Sequence, residues 1–91
     1  MEVICLCALW CDTCAEYRDG FFALAREFPD LRFRWLDVED DAAAVDDLEV
    51  AEVENFPTLL VRRDGAQLFY GPMQPRHEHL RRLLQDLQEK S

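Results

Sequence analysis

Trp10-Cys11-Asp12-Thr13-Cys14, preceded by the apolar run Val3-Ile4-Cys5-Leu6-Cys7-Ala8 and followed by Tyr17, Phe21, Leu24 and Phe28, decides how this chain is read. So short and continuous an apolar run suits a central strand covered on both faces. The spacings of three and four after Cys14 mark one face of a helix from about Asp12 to Phe28, stopped by Pro29. The cysteine pair therefore stands where a strand ends and a helix begins. Cys11 meets free backbone N–H groups and the positive end of the helix dipole there, and both favour its thiolate. Cys14, one turn on, lies under Cys11 and can resolve a mixed disulfide from within. Asp12 works the other way, because a carboxylate beside the sulfur disfavours a second negative charge. The pattern points to thiol–disulfide exchange.

Further along the chain, Leu31 to Val38 alternates apolar and polar residues and reads as a second strand, at one side of the sheet. Ala42 to about Val53 is helix-prone, with Val45, Leu48 and Ala51 or Glu52 on a weaker face. Pro57 to Arg62 is a third strand, Asp64-Gly65 a hairpin turn, and Gln67 to Tyr70 a fourth strand broken by Gly71-Pro72. Leu80, Leu83, Leu84 and Leu87 form the stripe of a final amphipathic helix. Gly20, inside the first helix, costs about 1 kcal/mol relative to Ala and calls for a packing reason.

The order β-α-β-α-β-β-α predicts an α/β fold. The first two strands run parallel through a right-handed crossover, and the last two are antiparallel across their tight turn. A four-stranded mixed sheet with helices on both faces satisfies these constraints and places the cysteines at the C-terminal end of the central first strand.

At 91 residues the chain is expected to be one domain, spanning 1–91, and its 49% hydrophobic content suffices for a packed core. Nineteen acids against ten bases give a net charge of −9, which argues against nucleic acid or an anionic membrane as partner. The acids gather between Glu39 and Glu54 and read as a solvated face. No stretch approaches the roughly 20 apolar residues of a membrane span. The apolar start has no basic residues before it and leads straight into the cysteine motif, so it reads as a buried strand rather than a cleaved leader. Four cysteines without an export signal suggest a reducing compartment, and the cytoplasm is the expected location.

Cys5 and Cys7, two apart on a strand, point to the same face at about 7 Å from one another, too far for a disulfide without distortion. They read as small core hydrophobes. The sharper alternative is that one of them approaches Cys14 as a third redox thiol or metal ligand. His77 and His79 read as solvated helix residues, and Met73 as lining the groove or capping the core. Pro57 opens the third strand. A trans bond before it is the numerical default, since only about 5–6% of X–Pro bonds are cis. The cysteine motif favours a cis Phe56–Pro57 bond that exposes the Phe56 backbone to an extended substrate beside Cys11.

Trp-Cys-x-x-Cys, then Asn55-Phe56-Pro57-Thr58-Leu59-Leu60-Val61, then Asp64-Gly65 and Tyr70-Gly71, resemble the thioredoxin family from about Val3 to Leu87. The chain is similar to the minimal thioredoxin-like core that glutaredoxins also use, without the extra N-terminal strand and helix of full-length thioredoxins. The resemblance implies Cys11 as nucleophile, Cys14 as resolving thiol, Pro57 as the cis-proline, and a substrate groove made by Trp10, Phe56 and the Gly71 loop. Asp12-Thr13, the dipeptide between the cysteines, belongs to that groove and departs from the Gly-Pro of thioredoxins and the Pro-Tyr of glutaredoxins. Cys5 stands where thioredoxins carry a buried acid, and Trp35 where they carry a lysine. No residue is evident that would supply the basic contacts glutathione requires.

The expected protein is a thioredoxin-like thiol–disulfide oxidoreductase. It would act as a monomer on protein disulfides and be recycled by a separate reductase, needing neither cofactor nor metal because the electrons reside in the sulfurs. A redox-inactive adaptor and a metal-binding module are the rival readings.

Overall fold

β1 (Glu2–Cys7) is the strand around which the rest assembles. The computed structural model describes residues 1–8, 10–48, 57–72 and 77–89. β1 is followed by α1 (Asp12–Glu27), β2 (Arg32–Asp37), α2 (Ala42–Asp47), β3 (Thr58–Arg63), β4 (Ala66–Pro72) and α3 (His77–Glu89). The strands form one sheet in the order β2-β1-β3-β4. β1 pairs with β2 in parallel and β3 with β4 antiparallel, as predicted, and β1 pairs with β3 antiparallel.

The alternation along β1 divides the core. Val3, Cys5 and Cys7 face α1 and α3, where they meet Phe21, Leu24, Leu80 and Leu84. Ile4 and Leu6 face the other way, packing with Leu60 and with Val45 and Leu48 of the α2 region. Both faces of β1 are thus sealed, which is why its sequence reads as an unbroken apolar run. α1 ends near Phe28, one residue before Pro29, which cannot continue a helix.

Asp64 and Gly65 both have positive φ, 51° and 84°, the conformation a two-residue hairpin requires. A bulge then offsets the pairing: Val61 faces Phe69 but Arg62 faces Gln67, leaving Leu68 unpaired and exposed. β4 continues through Gly71 to Pro72, so the expected break at Gly71-Pro72 does not occur. β4 is an edge strand, and a terminal proline on an edge removes no ladder hydrogen bond. α2 ends at Asp47 with Leu48 as its C-cap, and residues 49–53 of the predicted helix lie outside the described residues.

Gly20 has the packing reason its position demands. A β-carbon there would lie 2.9 Å from Nδ1 of His77, at the start of α3. Gly20→Ala should therefore leave stability unchanged or lower it in the native chain. In a His77→Ala background the same substitution should stabilise by up to about 1 kcal/mol, the helix-propensity difference. Urea unfolding of the four proteins of this double-mutant cycle checks it, and equal effects in both backgrounds would refute the contact.

Candidate active site

β1 leaves the sheet at Ala8, and the chain turns: the Cys11 N–H donates to the Ala8 carbonyl at 3.0 Å. Cys11 is the N-cap of α1, in extended conformation, and its Sγ accepts the Cys14 N–H at 3.4 Å. A sulfur here does what a Ser or Asp oxygen does at most helix starts, accepting an orphan N–H of the first turn. Cys11 is half-buried. Cys14 is 2% exposed, within the α1 face that holds Tyr17 and Phe21. Burial, and then hydrogen bonds with the Cys7 and Cys11 thiols, push the Cys14 thiol well above the ordinary range, although the Ala8 backbone opposes this. One sulfur is thus reachable and capped by an N–H, and the other is sealed and protonated.

The sheet register carries further residues to this end of the molecule. Cys7 faces Asp37 on β2, Leu6 faces Thr58 on β3, and Thr58 faces Pro72 on β4. Pro57, fully buried, and Gly71, paired with Leu59, therefore stand at the sheet end where β1 delivers Cys11. Trp10 is 67% exposed, an apolar ring beside Cys11 in sequence. Asp12 is exposed and Thr13 half-buried in the first turn of α1. Phe56, its bond to Pro57, and Met73 lie outside the described residues.

A cavity of about 290 Å³ opens between Cys7, Cys11 and Cys14 on one side and Arg18, Trp35 and Asp37 on the other. A larger depression, about 530 Å³, lies at the opposite end of the sheet around Met1, Arg62 and the hairpin. It holds no thiol, and Arg62 is engaged with Glu2 at 2.6 Å, as is Arg34 at 3.4 Å. Burial works against the Glu2 carboxylate, but the two arginines outweigh it and hold its carboxyl below the usual range.

Solved thioredoxins share this fold. Over 97% of this chain and 74% of the other, the structure matches thioredoxin from Trypanosoma brucei brucei with a TM-score of 0.78 and 25% identity. The chain has the thioredoxin fold. Thioredoxin from Fasciola hepatica matches over 93% of this chain and 78% of its own, at TM-score 0.77 and 25% identity. Thioredoxin 1 from Thermosipho africanus covers 98% of this chain and 96% of its own at TM-score 0.80 but 13% identity, a likeness of fold alone. No protein-family model matches the sequence, and comparison with curated proteins finds no significant match.

Two residues of this thioredoxin-like site escaped the sequence reading. Asp37, 7% exposed, ends β2 and folds its carboxylate back: Oδ1 accepts the N–H groups of Glu39 at 2.8 Å and Asp40 at 2.9 Å. Its own N–H donates to Asp41 Oδ2 at 2.9 Å. Part of the acidic cluster taken for a solvated face is therefore the turn that holds Asp37 against the cysteines. The parallel register opposite Cys7 is the signal that locates it. Arg18, one turn beyond Cys14, brings a fixed cation to the cavity, its guanidinium 5.8 Å from the ring centroids of both Phe22 and Trp35.

Cys5 and Cys7 point to one face, as predicted, but their sulfurs are 3.1 Å apart rather than near the 7 Å expected. The strand fixes the separation of their α-carbons, and the side-chain rotamers turn the sulfurs toward each other. The Cys5 thiol bonded to it, and then burial, push the Cys7 thiol far up from the ordinary range. Among the described residues, no group of three or more His, Cys, Asp or Glu side chains is arranged to hold a metal ion. No helix of the described residues is long and apolar enough to cross a membrane.

Proposed function

We propose that this chain is a thiol–disulfide oxidoreductase whose Cys11–Cys14 pair exchanges with disulfides of protein substrates. One observation carries the reading: the half-buried Cys11 sulfur accepts the Cys14 N–H at the start of α1 while the Cys14 sulfur lies sealed beneath it. The likeness to thioredoxins supports membership of a thiol–disulfide oxidoreductase family.

Cys11, as thiolate, attacks one sulfur of the substrate disulfide. The Cys11–substrate bond forms, and the other substrate sulfur leaves as a thiolate that takes up a proton. Cys14 then loses its proton and attacks Cys11 Sγ. The Cys11–Cys14 bond forms and the second substrate thiol departs. The substrate has gained two electrons, which a separate reductase restores to the protein. Trp10, Thr13, Phe56, Pro57 and Gly71 form the substrate groove in this reading, with exposed Asp12 and Arg18 setting its charge. The cytoplasm is the proposed location.

The test is the order of alkylation. In the reduced protein at neutral pH, iodoacetamide should label Cys11 before any other cysteine, and preferential labelling of Cys5, Cys7 or Cys14 would overturn the assignment. Exposure to a protein disulfide should lower the thiol count by two, whereas a redox-inactive adaptor would show no change. Resolution has its own signature. Because the Cys14 thiol is held well up, its thiolate is scarce at neutral pH, and the rate of mixed-disulfide resolution should rise about tenfold per pH unit. Quenched-flow decay of a preformed Cys11 mixed disulfide between pH 6 and 9 (about the accessible range) measures it. A flat profile would contradict a buried, protonated resolving thiol.

A further inference from the structure

The exchange reaction uses two of the four thiols. The other two are not spectators in position: Cys5 and Cys7 lie with their sulfurs 3.1 Å apart, and Cys7 borders the same cavity as Cys11 and Cys14. Cys7, Cys11 and Cys14 share that cavity wall, and the Cys14 N–H donates to Cys11 Sγ at 3.4 Å. The four thiols thus lead from half-buried Cys11 through the shared cavity, lined also by buried Cys14 and Cys7, to buried Cys5. A second observation points to charge developing at the inner end. Tyr17, 3% exposed, packs in the same cluster, and its buried hydroxyl has no hydrogen-bond partner among the described residues. A buried donor left without an acceptor costs stability. Cys5, Cys7 and Cys14 belong to the same cluster, so a thiolate formed there is the acceptor the hydroxyl lacks.

We propose that Cys5 and Cys7 are a second redox couple of this chain, oxidised by the Cys11–Cys14 disulfide through Cys14, with the Tyr17 hydroxyl donating to the transient inner thiolate. The proposal rests on the Cys11–Cys14 exchange argued above. Cys7, deprotonated, attacks Cys14 Sγ: the Cys7–Cys14 bond forms, the Cys11–Cys14 bond breaks, and Cys11 leaves as a thiolate that takes up the proton lost by Cys7. Cys5 repeats the step on Cys7: the Cys5–Cys7 bond forms, the Cys7–Cys14 bond breaks, and Cys14 takes up the proton from Cys5. Two electrons have moved from the inner pair to the outer one, with no further reactant. A second substrate disulfide then reoxidises Cys11 and Cys14, so one fully reduced chain reduces two substrate disulfides.

Residues two apart on a strand have α-carbons about 6.7 Å apart, near the upper limit for a disulfide. The inner bond is therefore strained and the more easily reduced of the two, so it closes second, under excess disulfide. Closure is slow at neutral pH and quickens as pH rises, since Cys7 must ionise among Cys5 on its own strand, Cys11, Cys14, Arg18 and Tyr17 of α1, and Asp37 of β2.

The experiment treats the fully reduced protein with excess oxidised glutathione, then denatures it, alkylates it and measures its intact mass. Labelled thiols should fall from four to two and then, more slowly, to none, without glutathione adducts and with a Cys5–Cys7 linkage located by fragmentation. A count that stops at two overturns this proposal alone. A count that stays at four overturns the exchange reading as well. Cys5→Ala, which leaves the outer pair intact, should stop at one labelled thiol from three; loss of the last one to an adduct on Cys7 would contradict closure between Cys5 and Cys7. Cys14→Ser should prevent the inner linkage, and its formation at the native rate would overturn the route through Cys14. Tyr17→Phe should slow the second phase severalfold and leave the first unchanged. Equal second-phase rates would overturn the role given to the phenol.

Discussion

Cys11→Ser is expected to abolish disulfide exchange, lowering the rate at least about a thousandfold, because a serine hydroxyl stays protonated at neutral pH and does not attack sulfur. Cys14→Ser should give a different failure. Its Cys11 remains reactive, so substrate is captured but not released, and a stable mixed disulfide accumulates. The contrast follows from position. Cys11 is the half-buried sulfur held by the Cys14 N–H, and Cys14 is the sealed one. The two variants should fold alike, since serine at the N-cap retains a capping acceptor and serine at the buried site is a near-isosteric change. Reduction of a protein disulfide followed by turbidity gives the rates, and mass spectrometry under non-reducing conditions detects the trapped complex. Capture by Cys11→Ser but not by Cys14→Ser would exchange the roles of the two thiols.

Phe21→Ala should cost about 3–5 kcal/mol, the usual range for emptying a buried aromatic site. Phe21 is fully buried on α1 and holds that helix on the β2 side of the sheet. Its ring meets Phe33 at 5.2 Å, Phe22 at 5.3 Å and Trp35 at 5.6 Å between centroids, all edge-on, the preferred arrangement for aromatic pairs. A domain of this size has only about 5–15 kcal/mol of stability to lose, so the melting temperature should fall on the order of 20 °C. Phe22, 38% exposed, is the control, and Phe22→Ala should cost about 1 kcal/mol or less. Urea titration with an unchanged slope measures both. A small effect of Phe21→Ala would mean that α1 is held chiefly by its other contacts. The prediction bears on function too, because α1 carries Cys11, Cys14 and Arg18, and its docking sets their geometry.

The corrections share one origin. β4 was expected to stop before Gly71-Pro72, but a proline harms a strand only where its missing N–H is needed, and that depends on whether the strand lies at an edge. Asp41 reads as part of a solvated acidic face because composition records charge and not the turn in which its carboxylate accepts the Asp37 N–H. Arg18 stood one helical turn beyond Cys14 in plain view, yet its value depends on Trp35 and Asp37, which arrive from another strand.

The sequence by itself determined the fold and the place of the Cys11–Cys14 pair in it. Periods of two and of three to four separate strand from helix, Asp64-Gly65 sets the hairpin, and a C-x-x-C between strand and helix places one sulfur at a helix start and the other a turn below. These are local properties, fixed by backbone geometry over a few residues. Tertiary structure alone decided what stands around the pair. Parallel pairing of β1 with β2 brings Asp37 opposite Cys7, and antiparallel pairing with β3 brings Thr58 opposite Leu6, so Pro57 shares the sheet end at which Cys11 stands. Cys5 and Cys7 mark the boundary between the two kinds of information. Their spacing told that they share a face, but a sulfur swings about its own χ1 by several ångströms, and only packing against α1 brings the two to 3.1 Å.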